Sequence, residues 1–177
     1  GASAGGLDAY KRLLGALSND TGAAFIFIQH LDPHHESLLA DLLSKHTSMP
    51  VIQAENDTEI EANSVYVIPP NKFIKLVDHG LFLDEPVKER GMRMSIDYFF
   101  RSMAEARAEK AIAVLLSGTG SDGTLGIREI KEAGGMIMVQ SPDTADYDGM
   151  PRSAIATGAV DFILPIEDMP EKLAQYI

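Results

Sequence analysis

The sequence holds 177 residues, with 26 Asp and Glu against 15 Lys and Arg, for a formal net charge of −11. That sign excludes a general nucleic-acid binder, whose phosphate contacts need Lys and Arg, so no nucleic-acid partner is expected. Cysteine is absent, which excludes disulfides, iron–sulfur clusters, thiolate-bound zinc and every thiol nucleophile. Covalent chemistry must then use an oxygen or nitrogen nucleophile.

Apolar residues at 45% and charged ones at 23% are the balance of a soluble globular protein with one sizeable core. The longest apolar runs, residues 23–28 and 111–116, fall far short of the roughly 20 that a membrane helix needs. No membrane insertion is expected, and lack of disulfides fits a reducing, cytoplasmic location. No repeat, low-complexity tract or linker interrupts residues 1–177, which read as a single domain. The sequence opens at Gly1 rather than Met, so excision from a longer multidomain protein is expected.

In chain order, Leu7, Tyr10, Leu13, Leu14 and Leu17 recur at helical spacing, and residues 23–29 read as a buried strand. Leu38, Leu39, Leu42 and Leu43 give a second helix over residues 36–46. Extended segments follow around Val51 and at residues 65–68, the latter stopped by Pro69 and Pro70. Asp78-His79-Gly80 joins two short strands as a hairpin. Ser95 is placed to cap a helix running to about residue 108. A strand at residues 111–116 leads to a helix at 124–133 that Gly134-Gly135 ends, and a strand at 136–139 follows. Pro151 suits the first turn of a short helix, before a strand at 160–164 and a closing helix at 170–175. Alternating strands and helices predict an α/β fold: a mostly parallel, doubly wound sheet with flanking helices and a short antiparallel hairpin.

Two glycine-rich turns stand at helix entrances. Gly1-Ala2-Ser3-Ala4-Gly5-Gly6 can expose a serine hydroxyl on a sharp turn, where helix N–H groups favour developing negative charge. A phosphate-binding or merely tight turn is the plainer reading. Gly118-Thr119-Gly120-Ser121-Asp122-Gly123 matches the dinucleotide pattern in strand–turn–helix context, so a nucleotide-binding oxidoreductase is an alternative. Against it, Asp122 brings negative charge into the turn, and the following strand ends in Gln140 rather than an acid.

His30 follows the strand at residues 23–29 directly. Ser3, His30 and Asp122 then all belong at carboxyl ends of strands, the edge where open α/β sheets bind ligands. Taken singly, His30 suits a surface or capping role and Asp122 suits the N-cap of the helix from Thr124. Together they supply a nucleophile, a base and an orienting carboxylate.

Those turns, with Gln29-His30, Val67-Ile68-Pro69-Pro70 and Gly149-Met150-Pro151-Arg152, resemble in order the chemotaxis receptor protein-glutamate methylesterases, the CheB-type catalytic domain. The resemblance covers essentially the whole chain. It implies a serine hydrolase that cleaves γ-glutamyl methyl esters on chemoreceptors, and in some members deamidates glutamines, without metal or organic cofactor. It assigns the nucleophile to Ser3, the base to His30 and the carboxylate to Asp122. Backbone N–H groups at Ala4 and Thr119 become the oxyanion donors, and a backbone donor survives a change of side chain. Ala4 stands where receptor methylesterases usually carry Thr, and Thr119 where they usually carry Met. Both are more like methylesterase domains fused to methyltransferase and sensor-kinase modules, which implies such partners beside a methylated receptor or sensor protein. A non-catalytic regulatory module of the same kind is the other alternative.

Arg90, Arg93, Arg101 and Arg107 make one stretch basic within an acidic chain. A solvated face is the plain reading. The sharper one has Arg90, Arg93 and Arg152 meeting a glutamate-rich substrate helix. His34, His35 and Glu36 lack a further ligand at metal-binding spacing, and Ile155 stands where a calcium loop around Gly149 would need Glu.

Overall fold

The computed structural model describes residues 1–29, 38–86 and 94–177. Helix α1 (Gly6–Ala16) leads into strand β1 (Ala24–Phe27), helix α2 (Leu39–Ser44) and strand β2 (Val51–Gln53). Strands β3 (Thr58–Glu59), β4 (Ser64–Val67), β5 (Phe73–Val77) and β6 (Gly80–Asp84) follow. The second half runs through α3 (Ser95–Arg107), β7 (Ile112–Leu115), α4 (Thr124–Glu132) and β8 (Met136–Gln140). It closes with α5 (Gly149–Ile155), β9 (Phe162–Leu164) and α6 (Met169–Ala174).

Two parallel three-stranded sheets, ordered β1-β4-β2 and β7-β8-β9, carry the fold. Residues 1–3 join them. The Ala2 N–H donates to the Ile28 carbonyl (3.1 Å) and Ala2 pairs with Gln29 in parallel register. On the other side, Leu116 N–H donates to the Gly1 carbonyl (2.9 Å) and Ser3 N–H to the Ser117 carbonyl (3.1 Å). Ser3 thus ends the segment at the centre of one parallel array.

Strand alternation builds a core on each face. Phe27, Val65, Val67, Met136 and Met138 point to the layer of α1, α2 and α6. Ile28, Tyr66, Leu115, Ile137 and Val139 point to α3, α4 and α5 and to the antiparallel sheet β3-β6-β5. The doubly wound α/β architecture read from the sequence is the one observed. The hairpin forms too, with Val77 opposite Gly80 and a two-residue loop between. Strand β3 has only two residues, too few for any periodicity to reveal. No helix among the described residues is long and apolar enough to cross a membrane.

One expected cap is corrected. Met94, not Ser95, is the N-cap of α3, and Ser95 is a buried first helical residue whose hydroxyl makes no cap bond. The helix takes its cap from elsewhere in the chain, as the site geometry makes clear.

Candidate active site

Ser3 sits where the central segment turns into α1, whose N-cap Gly5 has a left-handed φ of 72°. Gly6 N–H donates to the Ser3 carbonyl (2.9 Å), which tightens the turn. The half-buried Ser3 hydroxyl oxygen accepts a hydrogen bond from the Thr119 backbone N–H at 3.0 Å. The two glycine-rich turns, more than a hundred residues apart in sequence, therefore meet at this oxygen. Gly118 is required for that approach: a Cβ there would lie 2.5 Å from Ser3 Oγ and 2.9 Å from Met150 Cε. Ala4 accepts the Ser117 hydroxyl on its carbonyl (2.8 Å), while its own N–H has no acceptor among the described residues.

Ser117 and Gln140, which sequence reasoning passed over, hold the turns together. The Ser117 hydroxyl donates to Ala4 and accepts from the Tyr147 N–H at 3.0 Å. Its backbone N–H donates to Gln140 Oε1 (2.9 Å), and Gln140 Nε2 donates to the Thr144 carbonyl (3.0 Å). Gly118 N–H in turn donates to the Tyr147 carbonyl at 3.0 Å. The Ser117 and Gln140 side chains are both buried, and such groups stay inside only when hydrogen-bonded, but no local pattern in the sequence marks them.

Asp122, three residues past Thr119, is 3% exposed. Its Oδ2 accepts from Ile96 N–H (3.0 Å) and its Oδ1 from Asp97 N–H (2.8 Å). The carboxylate therefore caps α3, not the helix from Thr124, whose N-cap is Gly123. Expectation and observation differ because the capping group comes from a turn adjacent in space rather than in sequence.

The nucleotide-binding alternative does not fit this geometry. Space beside Gly118 is filled by Ser3 and Met150, and Asp97 Oδ1 accepts the Gly126 N–H (2.8 Å) in the first turn of α4. A carboxylate already occupies the end where a pyrophosphate would have to bind.

His30, Arg90 and Arg93 lie outside the described residues, as do His34, His35 and Glu36. Gln29, the residue before His30, pairs with Ala2, the residue before Ser3. Arg152 is exposed and pairs through Nε with Asp148 Oδ2 (2.6 Å), which holds its pKa above the usual guanidinium value. Arg101 pairs with Glu129 (3.0 Å) and Arg107 lies 3.1 Å from His79 Nδ1, at the far end of α3 from Asp122. Both arginines are thus engaged in local contacts. An apolar cavity of about 110 Å³, lined by Phe25, Phe27, Phe99, Phe100, Ile112 and Val114 among others, includes none of Ser3, Thr119 and Asp122. Among the described residues the site is an edge where the two turns converge.

Residues 1–173 match the CheB methylesterase family. The chain belongs to that family. In this CheB-type domain the two turns and the central Ser3 stand in a fold shared with the Thermotoga maritima CheB methylesterase catalytic domain. The TM-score is 0.91 and the identity 30%, over 99% of this chain and 95% of that one. A 104.1 kDa uncharacterized protein of Rhodobacter capsulatus is 45% identical over 139 residues, 78% of this chain but 14% of that protein. A putative protein-glutamate methylesterase/protein-glutamine glutaminase of Leptospira interrogans is 36% identical over 97% of this chain and 89% of its own length. The Photorhabdus laumondii protein-glutamate methylesterase/protein-glutamine glutaminase is 36% identical over 98% of this chain, which spans 50% of that protein.

Proposed function

We propose that this CheB-type domain is a serine hydrolase that cleaves γ-glutamyl methyl esters on a methylated receptor or sensor protein, with Ser3, His30 and Asp122 as its triad. The observation that carries the reading is the hydrogen bond from Thr119 N–H to Ser3 Oγ (3.0 Å), which sets a fixed backbone donor beside the nucleophile. Gln29, which precedes His30 in sequence, pairs with Ala2, which precedes Ser3, and this supports His30 as the base. Asp122, buried in the second turn, supplies the carboxylate that keeps an imidazole in one tautomer and stabilises its charged form.

In the first half-reaction Ser3 Oγ attacks the ester carbonyl carbon and His30 takes the hydroxyl proton. The carbonyl oxygen becomes an oxyanion held by the N–H groups of Ala4 and Thr119. The C–O bond to the methoxy group then breaks, and His30 returns the proton so that methanol leaves. Water, deprotonated by His30, attacks the acyl-serine, and the proton goes back to Ser3 as the glutamate carboxylate is released. A glutamine side chain enters the same sequence with ammonia as leaving group.

The domain works within a longer protein, as its match to 14% of a 104.1 kDa relative supports, and its neighbours there are methyltransferase and sensor-kinase modules. Methanol release from a methylated receptor fragment tests the activity. Ser3→Ala is expected to lower turnover by about a thousandfold or more. Equal methanol release by parent and variant would contradict the mechanism.

A further inference from the structure

Helices α3 and α4 cap each other. Neither has a side-chain cap from its own N-cap residue, Met94 in α3 and Gly123 in α4. Asp122, just ahead of α4, accepts the Ile96 and Asp97 N–H groups at the second and third positions of α3. Asp97, at the third position of α3, accepts the Gly126 N–H at the third position of α4 (2.8 Å). A capping box closes within one helix; here an aspartate at the start of each helix caps the other. Close approach of the helices permits the exchange, since a Cβ at Gly126 would lie 2.4 Å from Phe100 Cβ.

The exchange leaves Asp97 in an unusual position. It is 3% exposed, and its Oδ2 has no hydrogen-bond partner among the described residues. Burial raises its pKa to about 6, with the Asp122 charge adding to the rise; the Gly126 and Leu125 N–H groups and Arg101 oppose it. Arg101 shares its charge with Glu129 of α4, and on the hairpin Lys75 pairs with Asp84, which also accepts from the Tyr98 hydroxyl. The charge Asp97 meets most directly is therefore that of Asp122.

We propose that Asp97 is a positioning residue for Asp122, fixing that carboxylate through the exchanged caps and coupling its own charge to it. This rests on the triad reading for its catalytic consequence. Ionised Asp97 adds a second negative charge beside Asp122, and if Asp122 is the triad carboxylate this raises the pH at which the catalytic base loses its proton.

The test is the pH dependence of kcat/KM for methyl-ester hydrolysis in the parent and in Asp97→Asn. The substitution keeps an acceptor for Gly126 N–H and removes the charge. The acid limb is expected to move down by about half a unit or more, with the plateau rate largely kept. A lost packing role would lower the plateau or the Tm without moving the limb. In parallel, the backbone amide resonances of Ile96, Asp97 and Gly126 in the parent are expected to titrate together with a midpoint of about 6. Superimposable limbs in the two proteins, or amides silent through that range, would overturn the proposal. Failure of the triad reading is seen separately, as Ser3→Ala hydrolysing the ester like the parent; the amide titration then still decides the Asp97–Asp122 coupling.

Discussion

At the scale of single residues, the site depends on atoms that are missing as much as on those present. Gly118 has no Cβ because Ser3 Oγ and Met150 Cε already occupy that space. Gly118→Ala is expected to displace Ser3 Oγ and, on the proposed mechanism, cut ester hydrolysis by about a hundredfold, as an ångström-scale misplacement does. Crowding should cost about 1–3 kcal/mol of stability. Steady-state kinetics alongside thermal unfolding check this, and an unchanged rate would mean that the turns do not need to touch. Ser3 and Asp122 were legible in the sequence because glycine-rich turns before helices announce themselves. Ser117, Gln140 and Asp97 were not, because a buried serine, glutamine or aspartate has no local pattern. Its meaning lies in partners 23 to 30 residues away or farther, such as the Gln140 side chain on Ser117 N–H and Asp97 on Gly126 N–H.

At the scale of elements, the strand and helix periodicities carried over well, since each strand is sided by alternation and each helix by its apolar stripe. Helix starts carried over less well. Ser95 looked like a cap, but the donors of α3 are taken by Asp122 across the α3–α4 contact. That contact has a pH signature. Asp97 has a folded pKa of about 6 against an ordinary 3.8, so the folded state binds more protons than the unfolded chain between those values. Its contribution to stability is present in full below that window and is lost as pH rises through about 6. Unfolding midpoints in denaturant, measured from pH 4 to 7, should fall more steeply for the parent than for Asp97→Asn. Parallel curves would show that Asp97 carries no shifted titration.

At the scale of the whole molecule, residues 1–3 form the seam on which everything else is arranged. They bond to Ile28 on one side and to Leu116 and Ser117 on the other, and so bring the ends of β1 and β7 to the same edge as Ser3. Each face of the resulting array has its own core. Ile137 and Met138 are neighbours in β8, both fully buried, and belong to opposite cores. Ile137→Ala and Met138→Ala are each expected to cost about 2–5 kcal/mol, and urea unfolding would measure it. A negligible loss from either would mean that its layer is not a packed core. The described arginines at 101, 107 and 152 sit in local pairs.

What joins the three scales is the proposal that Ser3, at the centre of the parallel array, is the nucleophile. An active-site serine probe of the fluorophosphonate type, followed by peptide mass spectrometry, examines that directly. Modification is expected on Ser3, and it should be lost in His30→Gln, which removes the base. Labelling absent from Ser3, or undiminished in His30→Gln, would contradict the triad.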